Sequence, residues 1–177
     1  SAVGGVIWLL AYPLGVIGGR VSPQNFVRAA LPAQAVAIST QSSLASLPAT
    51  LKGAHMLNVP VASAGVVLPL AVAIFRATGP AMNIAVALYV AHWYGIELRP
   101  EHYAVGIAAA ALTTIVSVSL PGTVSFVASI APICIVMGIR VEPLALLIAV
   151  ETIPDIFRTV GNVTAEWVDF RAAFVAI

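Results

Sequence analysis

Charge is what this chain has least of. Only 8% of its 177 residues are charged, where a soluble domain carries roughly 25% to cover its surface. Hydrophobic residues make up 60%, and the mean hydropathy is +1.03. Most of the outer surface must therefore face lipid or other apolar protein, which makes this an integral membrane protein. An excess of one sign is also lacking: eight basic residues against seven acidic ones leave a net charge of +1. Without a basic stripe to neutralise phosphates, nucleic acid is excluded as a partner. The single cysteine, Cys134, has no second thiol to pair with and reads as a small buried hydrophobe. No basic n-region and no initiator Met precede the opening run "SAVGGVIWLLAYPLGVIGG", so no signal peptide is visible and the chain reads as a piece of a longer one. No nucleophile–base pair and no metal-ligand spacing occur, so an enzyme is not expected, no residue is assigned a catalytic role and no metal site is assigned.

What is present is apolar sequence punctuated by short polar links. At about 20 residues per crossing the chain has room for five to seven membrane segments. The charges divide it into residues 1–19, the end of a transmembrane helix; 22–52; 56–95, too long for one uninterrupted crossing; 102–139; and 143–169, a last transmembrane helix. Ser22 with Pro23 behind it is a helix-start signal. If residues 22–52 open from the cytoplasm, then Arg20, Arg28, Lys52 and Arg171 share that side. Arg99 and Arg140 lie opposite with Glu97, Glu101 and Glu142, in keeping with the positive-inside rule.

Two stretches break in nearly the same words. "SLPAT" at 46–50 and "SLPGT" at 119–123 interrupt apolar runs, 73 residues apart. Each sits between arms shorter than a comfortable crossing. Two half-length helices meeting at a Ser-Pro tip make a re-entrant hairpin, and backbone broken at membrane depth survives only where it is buried or lines a cavity. Paired interruptions in two halves of a chain point to a transporter's solute site. The alternative is that each proline merely kinks an ordinary spanning helix. The fold class expected is an all-α membrane protein: an inverted-repeat transporter with two re-entrant helical hairpins and interrupted transmembrane helices.

The strongest chemical signal is "ETIPDIFRTVGNVTAE", 151–166. At about 100° per residue, Glu151, Asp155, Arg158, Asn162 and Glu166 share a stripe about 80° wide, with Thr159 at its edge. Each charge at mid-bilayer costs about 2.5–3.5 kcal/mol on insertion scales, so such a stripe faces a bundle interior or a wet cavity. Asp155 and Arg158 are spaced to pair, and a structural ion pair is one reading. The surplus of acceptors, with Asn and Thr interleaved, favours a site for a polar solute or ion. Arg158 offers a donor fork for a carboxylate, and Asp155 an acceptor for an ammonium group. Together they suit a small anionic or zwitterionic solute. Pro154 lacks an N–H and is expected to leave a carbonyl one turn earlier open.

"DIFRTVGNVTAE" (155–166) resembles the last-helix motif of the glutamate transporter, or dicarboxylate/amino acid:cation symporter, family, Asp-x-x-Arg-Thr-x-x-Asn-Val-Thr-Gly-Asp. "TQSSLASLP" (40–48) is similar to that family's serine-rich first hairpin tip, "LPG" (120–122) to its second, and "LPL" (68–70) to the start of its interrupted seventh helix. The resemblance covers nearly the whole chain. It implies that Asp155 binds a substrate amino group and Arg158 a side-chain carboxylate, with Thr159 and Asn162 assisting. Ser42, Ser43 and Leu120 would close the site from the two tips. It further implies secondary active symport by an elevator-like movement in the cell (inner) membrane, crossed many times. A homotrimer is implied, assembled through an N-terminal half absent here.

The departures concern the coupling ion, Na+ or H+. Where the family carries Asn-Met-Asp-Gly-Thr, this chain has "FRATG" (75–79), so Phe75 and Ala77 replace oxygen-bearing ligands that a hard cation needs. Ala73 stands in place of a threonine. Arg76 has arrived at membrane depth instead. Either it snorkels to the interface, or its fixed charge stands in for a bound cation, paired with Glu151, Asp155 or Glu166. Asn162 belongs to the same coupling-ion group, and Glu151 or Glu166 could carry a proton. Gln41 occupies the tip position where many relatives have arginine. Two rival functions remain: a non-transporting or degenerate membrane subunit, and an anion channel lined by Arg76 and Arg158.

Overall fold

Long apolar runs with few helix breakers leave the backbone one economical way to satisfy its hydrogen bonds away from water, and that way is the helix. A computed structural model describes residues 2–57, 59–74, 76, 78–116 and 122–175; side-chain surroundings are described as far as 167, apart from 19, 74, 122 and 123. Among the described residues the secondary structure is helical, with no strand. The chain divides into two compact units, Ser1–Thr78 with Ile156–Ile177, and Gly79–Asp155.

In the first unit, α1 (Ala2–Gly19) leads to α2 (Pro23–Thr40). Ser22 caps α2, its hydroxyl accepting from the Asn25 N–H, and Pro23 holds the first helical position, where no N–H is needed. The helix stops at Gln41, which adopts left-handed backbone (φ 53°) and donates its N–H to the Ala37 carbonyl. Ser42 is extended and caps α3 (Ser43–Met56), its hydroxyl accepting from the Ala45 N–H at 3.2 Å. Two residues thus join α2 and α3, which pack along each other as a helical hairpin.

The turn lies earlier than the pentapeptide: "SLPAT" (46–50) is inside α3, not at the tip. The polar residues ahead of it end one helix and start the next. Ser39 and Thr40 return their hydroxyls to the Val36 carbonyl, and Ser42 supplies the cap. Pro48, the sixth residue of α3, only withholds an N–H from the Leu44 carbonyl. The second pentapeptide reaches outside the described residues at 119–121, and Leu120 with it.

From α3 the chain passes to α4 (Val61–Ile74). One core cluster gathers Phe26, Ala29 and Ala30 of α2, Ala54 of α3, and Ala64 and Leu68 of α4 around Trp167 of α9 (Thr152–Val175). A second joins Ala33 and Ala37 to Val160 and Val163. Going up α2 therefore means going down α9: residues 26–30 cluster with 167, Gln34 bonds Thr164, and Ala33 and Ala37 cluster with Val160 and Val163. The antiparallel register carries the Gln41–Ser43 turn toward Ile156–Arg158. Gly53 permits the close approach of α3: a Cβ there would fall on the Ala29 carbonyl and within 2.8 Å of the Trp167 ring.

The second unit holds α5 (Thr78–Trp93) from Gly79 onward, α6 (Pro100–Val116), α7 (Gly122–Val136) and α8 (Leu144–Ile148). α6 and α7 pack against each other. Val90, Ala110, Phe126, Ile130, Ile133, Cys134 and Met137 form its core, where Cys134 is buried as a hydrophobe. A single helix over 143–169 was the expectation. The structure instead ends α8 at Ile148 and starts α9 at Thr152. Pro154 is consequently the third residue of α9, in the turn where its missing N–H has no helical acceptor to serve. The carbonyl it was expected to open, that of Val150, belongs to the turn ahead of the helix.

Among the described residues, one apolar stretch, Val61–Trp93, is by length and composition able to cross a membrane, and Ala2–Gly18 and Val124–Val136 are shorter apolar helices.

Candidate functional site

The polar stripe of the last helix is buried where it runs through the first unit. Arg158, Thr159, Asn162, Thr164 and Glu166 are all buried, Asn162 and Glu166 completely. In the second unit, Glu151 is buried and Asp155 half-buried, with the Asp155 N–H donating to the Glu151 carbonyl at 2.8 Å. Arg76, Glu151, Asp155, Arg158 and Glu166 are all engaged with neighbours. Polar atoms this deep in an apolar setting cost several kcal/mol each unless bonded, so the stripe is either satisfied internally or built to receive something.

The first unit contains both situations. Gln34 (4% exposed) donates from Nε2 to the Thr164 hydroxyl and to the Tyr12 hydroxyl, each at 2.8 Å. Tyr12 returns a bond to Gln34 Oε1 at 3.0 Å, and Thr164 donates to the Val160 carbonyl at 2.7 Å. This chain of bonds ties α1, α2 and α9 together.

Asn162 is only half satisfied. Its Oδ1 accepts the Thr78 backbone N–H at 3.0 Å and lies 2.6 Å from the Thr78 hydroxyl, which also reaches the Arg158 carbonyl at 2.8 Å. Its Nδ2, fully enclosed, has no hydrogen-bond partner among the described residues. Gly161 makes the contact possible, since a Cβ there would stand 2.5 Å from Thr78 Cγ2. Thr78 is thus pinned against the middle of α9. Arg76, two residues back and half-buried, has its backbone within about 7 Å of that of Thr78.

Ser43, at the first position of α3, is buried, and its hydroxyl too lacks a hydrogen-bond partner among the described residues. Ser42, beside it, spends its oxygen on the Ala45 cap. Of the residues expected at the site, the first unit holds Ser42, Ser43, Arg76, Arg158, Thr159, Asn162 and Glu166, and the second Glu151 and Asp155. Leu120 lies outside the described residues, as do Phe75 and Ala77.

Sequence reasoning missed Thr78, Gly161, Gln34 and Tyr12. Thr78 stood in plain view in "FRATG", but a threonine there signals nothing until its partner 84 residues on is known.

The sequence has counterparts among known proteins. The model of the sodium:dicarboxylate symporter family matches residues 2–173. A curated relative, the proton/sodium-glutamate symport protein of Bacillus subtilis (strain 168), is 31% identical over 132 residues, which is 74% of this chain and 30% of that protein. The chain thus spans about a third of the length of the curated relative it matches. With the family match running almost from end to end, the chain belongs to the sodium:dicarboxylate symporter family.

Proposed function

We propose that the full-length protein is a secondary active transporter, a symporter of acidic or zwitterionic amino acids or dicarboxylates. The observation that carries this reading is the buried run Arg158–Thr159–Asn162 on α9, in which the enclosed Asn162 amide nitrogen has no hydrogen-bond partner among the described residues. A guanidinium and an amide N–H pair suit a carboxylate, and Asp155, one turn ahead of Thr159 on the same helix, suits an ammonium group. The Ser42–Ser43 turn runs toward Ile156–Arg158 by the register of α2 on α9, and Ser43 adds a second hydroxyl. The family resemblance adds Leu120, which lies outside the described residues, to this set. Both α2–α3 and α6–α7 are taken as re-entrant hairpins in a cell membrane crossed several times. Solute movement is taken as elevator-like, within a homotrimer assembled through the rest of the chain.

Coupling departs from the family's name. The Asn162 side-chain oxygen and the Arg158 carbonyl, acceptors a sodium ion could use, already receive the donors of Thr78. "FRATG" brings Arg76 where oxygen ligands are expected. A fixed guanidinium beside Glu166 would supply a cation's charge permanently, leaving uptake independent of sodium. A proton moving through Glu151 or Glu166 remains the natural coupling ion.

Uptake and counterflow of L-glutamate and succinate by the full-length protein in proteoliposomes, with sodium replaced by choline, test both parts. Exchange persisting in choline is the expected result, and collapse of the pH gradient should then abolish accumulation. Strict sodium dependence would overturn the role given to Arg76. Conductance without exchange would make the protein a channel, and neither would make it a non-transporting subunit.

A further inference from the structure

The amide of Asn162 can be read without ambiguity, and that reading assigns a task to Thr78. A backbone N–H can only donate, so the atom 3.0 Å from the Thr78 nitrogen must be the amide oxygen. The Thr78 hydroxyl has one proton, shared between that oxygen and the Arg158 carbonyl, both within 2.8 Å. Turning the amide over would bring Nδ2 against the Thr78 N–H, donor to donor, in a fully buried place. The edge of Asn162 turned away from Thr78 is therefore fixed as a donor edge. Gly161 adds an independent sign that the contact is built: only a residue without Cβ lets Thr78 come this close.

We propose that Thr78 is a positioning residue for solute recognition: by holding the Asn162 oxygen, it fixes the two N–H groups of Nδ2 toward a solute oxygen. This rests on the reading of the Arg158–Asn162 run as a solute site. What is new is the part given to Thr78, which keeps the free edge of Asn162 a donor edge. A loose amide would rotate to serve either kind of group, and the discrimination would be lost.

The test compares Thr78→Val, which keeps the shape and the N–H but loses the hydroxyl, with Thr78→Ser, which keeps the hydroxyl. Counterflow of L-glutamate and of succinate is measured on full-length protein in proteoliposomes. Thr78→Val leaves the Asn162 oxygen held by the backbone N–H alone. With the shorter of the two bonds gone the amide is less firmly placed, and the half-saturation concentration should rise about tenfold, the worth of one buried hydrogen bond, with the maximal rate held within about twofold. Thr78→Ser should restore the half-saturation to near the parent value. Unchanged half-saturation in Thr78→Val, or equal losses in both variants, would overturn the proposal. A solute-free arm separates its failure from that of the functional reading. Thermal unfolding of Thr78→Val, Asn162→Ala and the double variant should give non-additive shifts, because both substitutions remove the same bond. Additive shifts would overturn the pairing even if neither probe is carried, whereas non-additive shifts without counterflow would condemn only the functional reading.

Discussion

A methyl group added at Gly161 gives the sharpest check on how Thr78 meets α9. Alanine in mid-helix is favoured over glycine by about 1 kcal/mol, so on propensity alone Gly161→Ala should stabilise. The new Cβ, however, would stand 2.5 Å from Thr78 Cγ2, where carbon atoms rest at about 3.5–4.0 Å. Thr78 must then retreat by about 1 Å. Its contacts to Asn162, now 3.0 and 2.6 Å, would stretch beyond hydrogen-bonding range. Two bonds lost at about 1 kcal/mol each, with a buried amide oxygen left bare at about 1–3 kcal/mol, outweigh the helix gain, for a net loss of about 2–4 kcal/mol. Thr78→Ser removes the offending methyl and keeps the hydroxyl, at about 1 kcal/mol for the lost buried group. In the double variant the nearest atom of residue 78 to the new Cβ is its own Cβ, at 3.8 Å, an ordinary contact. The double variant should accordingly unfold near the parent temperature. The assay is thermal unfolding of the full-length protein in detergent for all four members of the cycle. Energies additive within about 0.5 kcal/mol, or a Gly161→Ala variant more stable than the parent, would refute the geometry.

Gly53→Ala should be worse and beyond rescue, because the added methyl meets the Ala29 backbone carbonyl as well as the Trp167 ring; a loss of about 3 kcal/mol or more, or failure to fold, is expected in the same unfolding assay. Gly106→Ala is the contrasting case. Its methyl meets only the flexible Met137 side chain, so a change within about 1 kcal/mol is expected, and a larger loss would argue against the packing of α6 on α7. Gln34→Leu should cost about 1–3 kcal/mol, since it bares the buried Thr164 hydroxyl's partner position and the Tyr12 hydroxyl together. Adding Tyr12→Phe to it should cost little more, and fully additive losses would show that the two are not one network.

The part of the site legible in sequence was the part governed by helical period. Arg158, Asn162 and Glu166 could be placed on one face because residues four and eight apart must share it, with Thr159 at its edge. All are buried, but so is every residue from 158 to 167, and burial by itself does not mark that face as a site. Pro48 misled about the first turn. A proline in an apolar run resembles a break, yet the chain turns where Gln41 goes left-handed and Ser42 becomes extended, and Pro48 rides inside α3. The division at 149–151 was hidden for a related reason: Pro154 reads as a mid-helix defect until the helix is seen to begin two residues before it. Thr78 and Gly161 were not legible at all, because their meaning lies in each other, and nothing local announces a contact across that much chain.

The chain of bonds from Tyr12 through Gln34 to Thr164 also limits how the first unit can move. A slip of α2 along α9 by one helical turn is about 5.4 Å. It would carry the Gln34 amide off Thr164 and among the alanine and valine side chains of the neighbouring core, stranding polar groups on both helices. Intermediate positions break the same bonds with nothing to replace them. The hairpin, α1 and the Val160–Thr164 stretch of α9 are therefore indexed to one another like teeth on a rack, with a single stable setting. Any displacement of the first unit must leave that setting intact and take these pieces together.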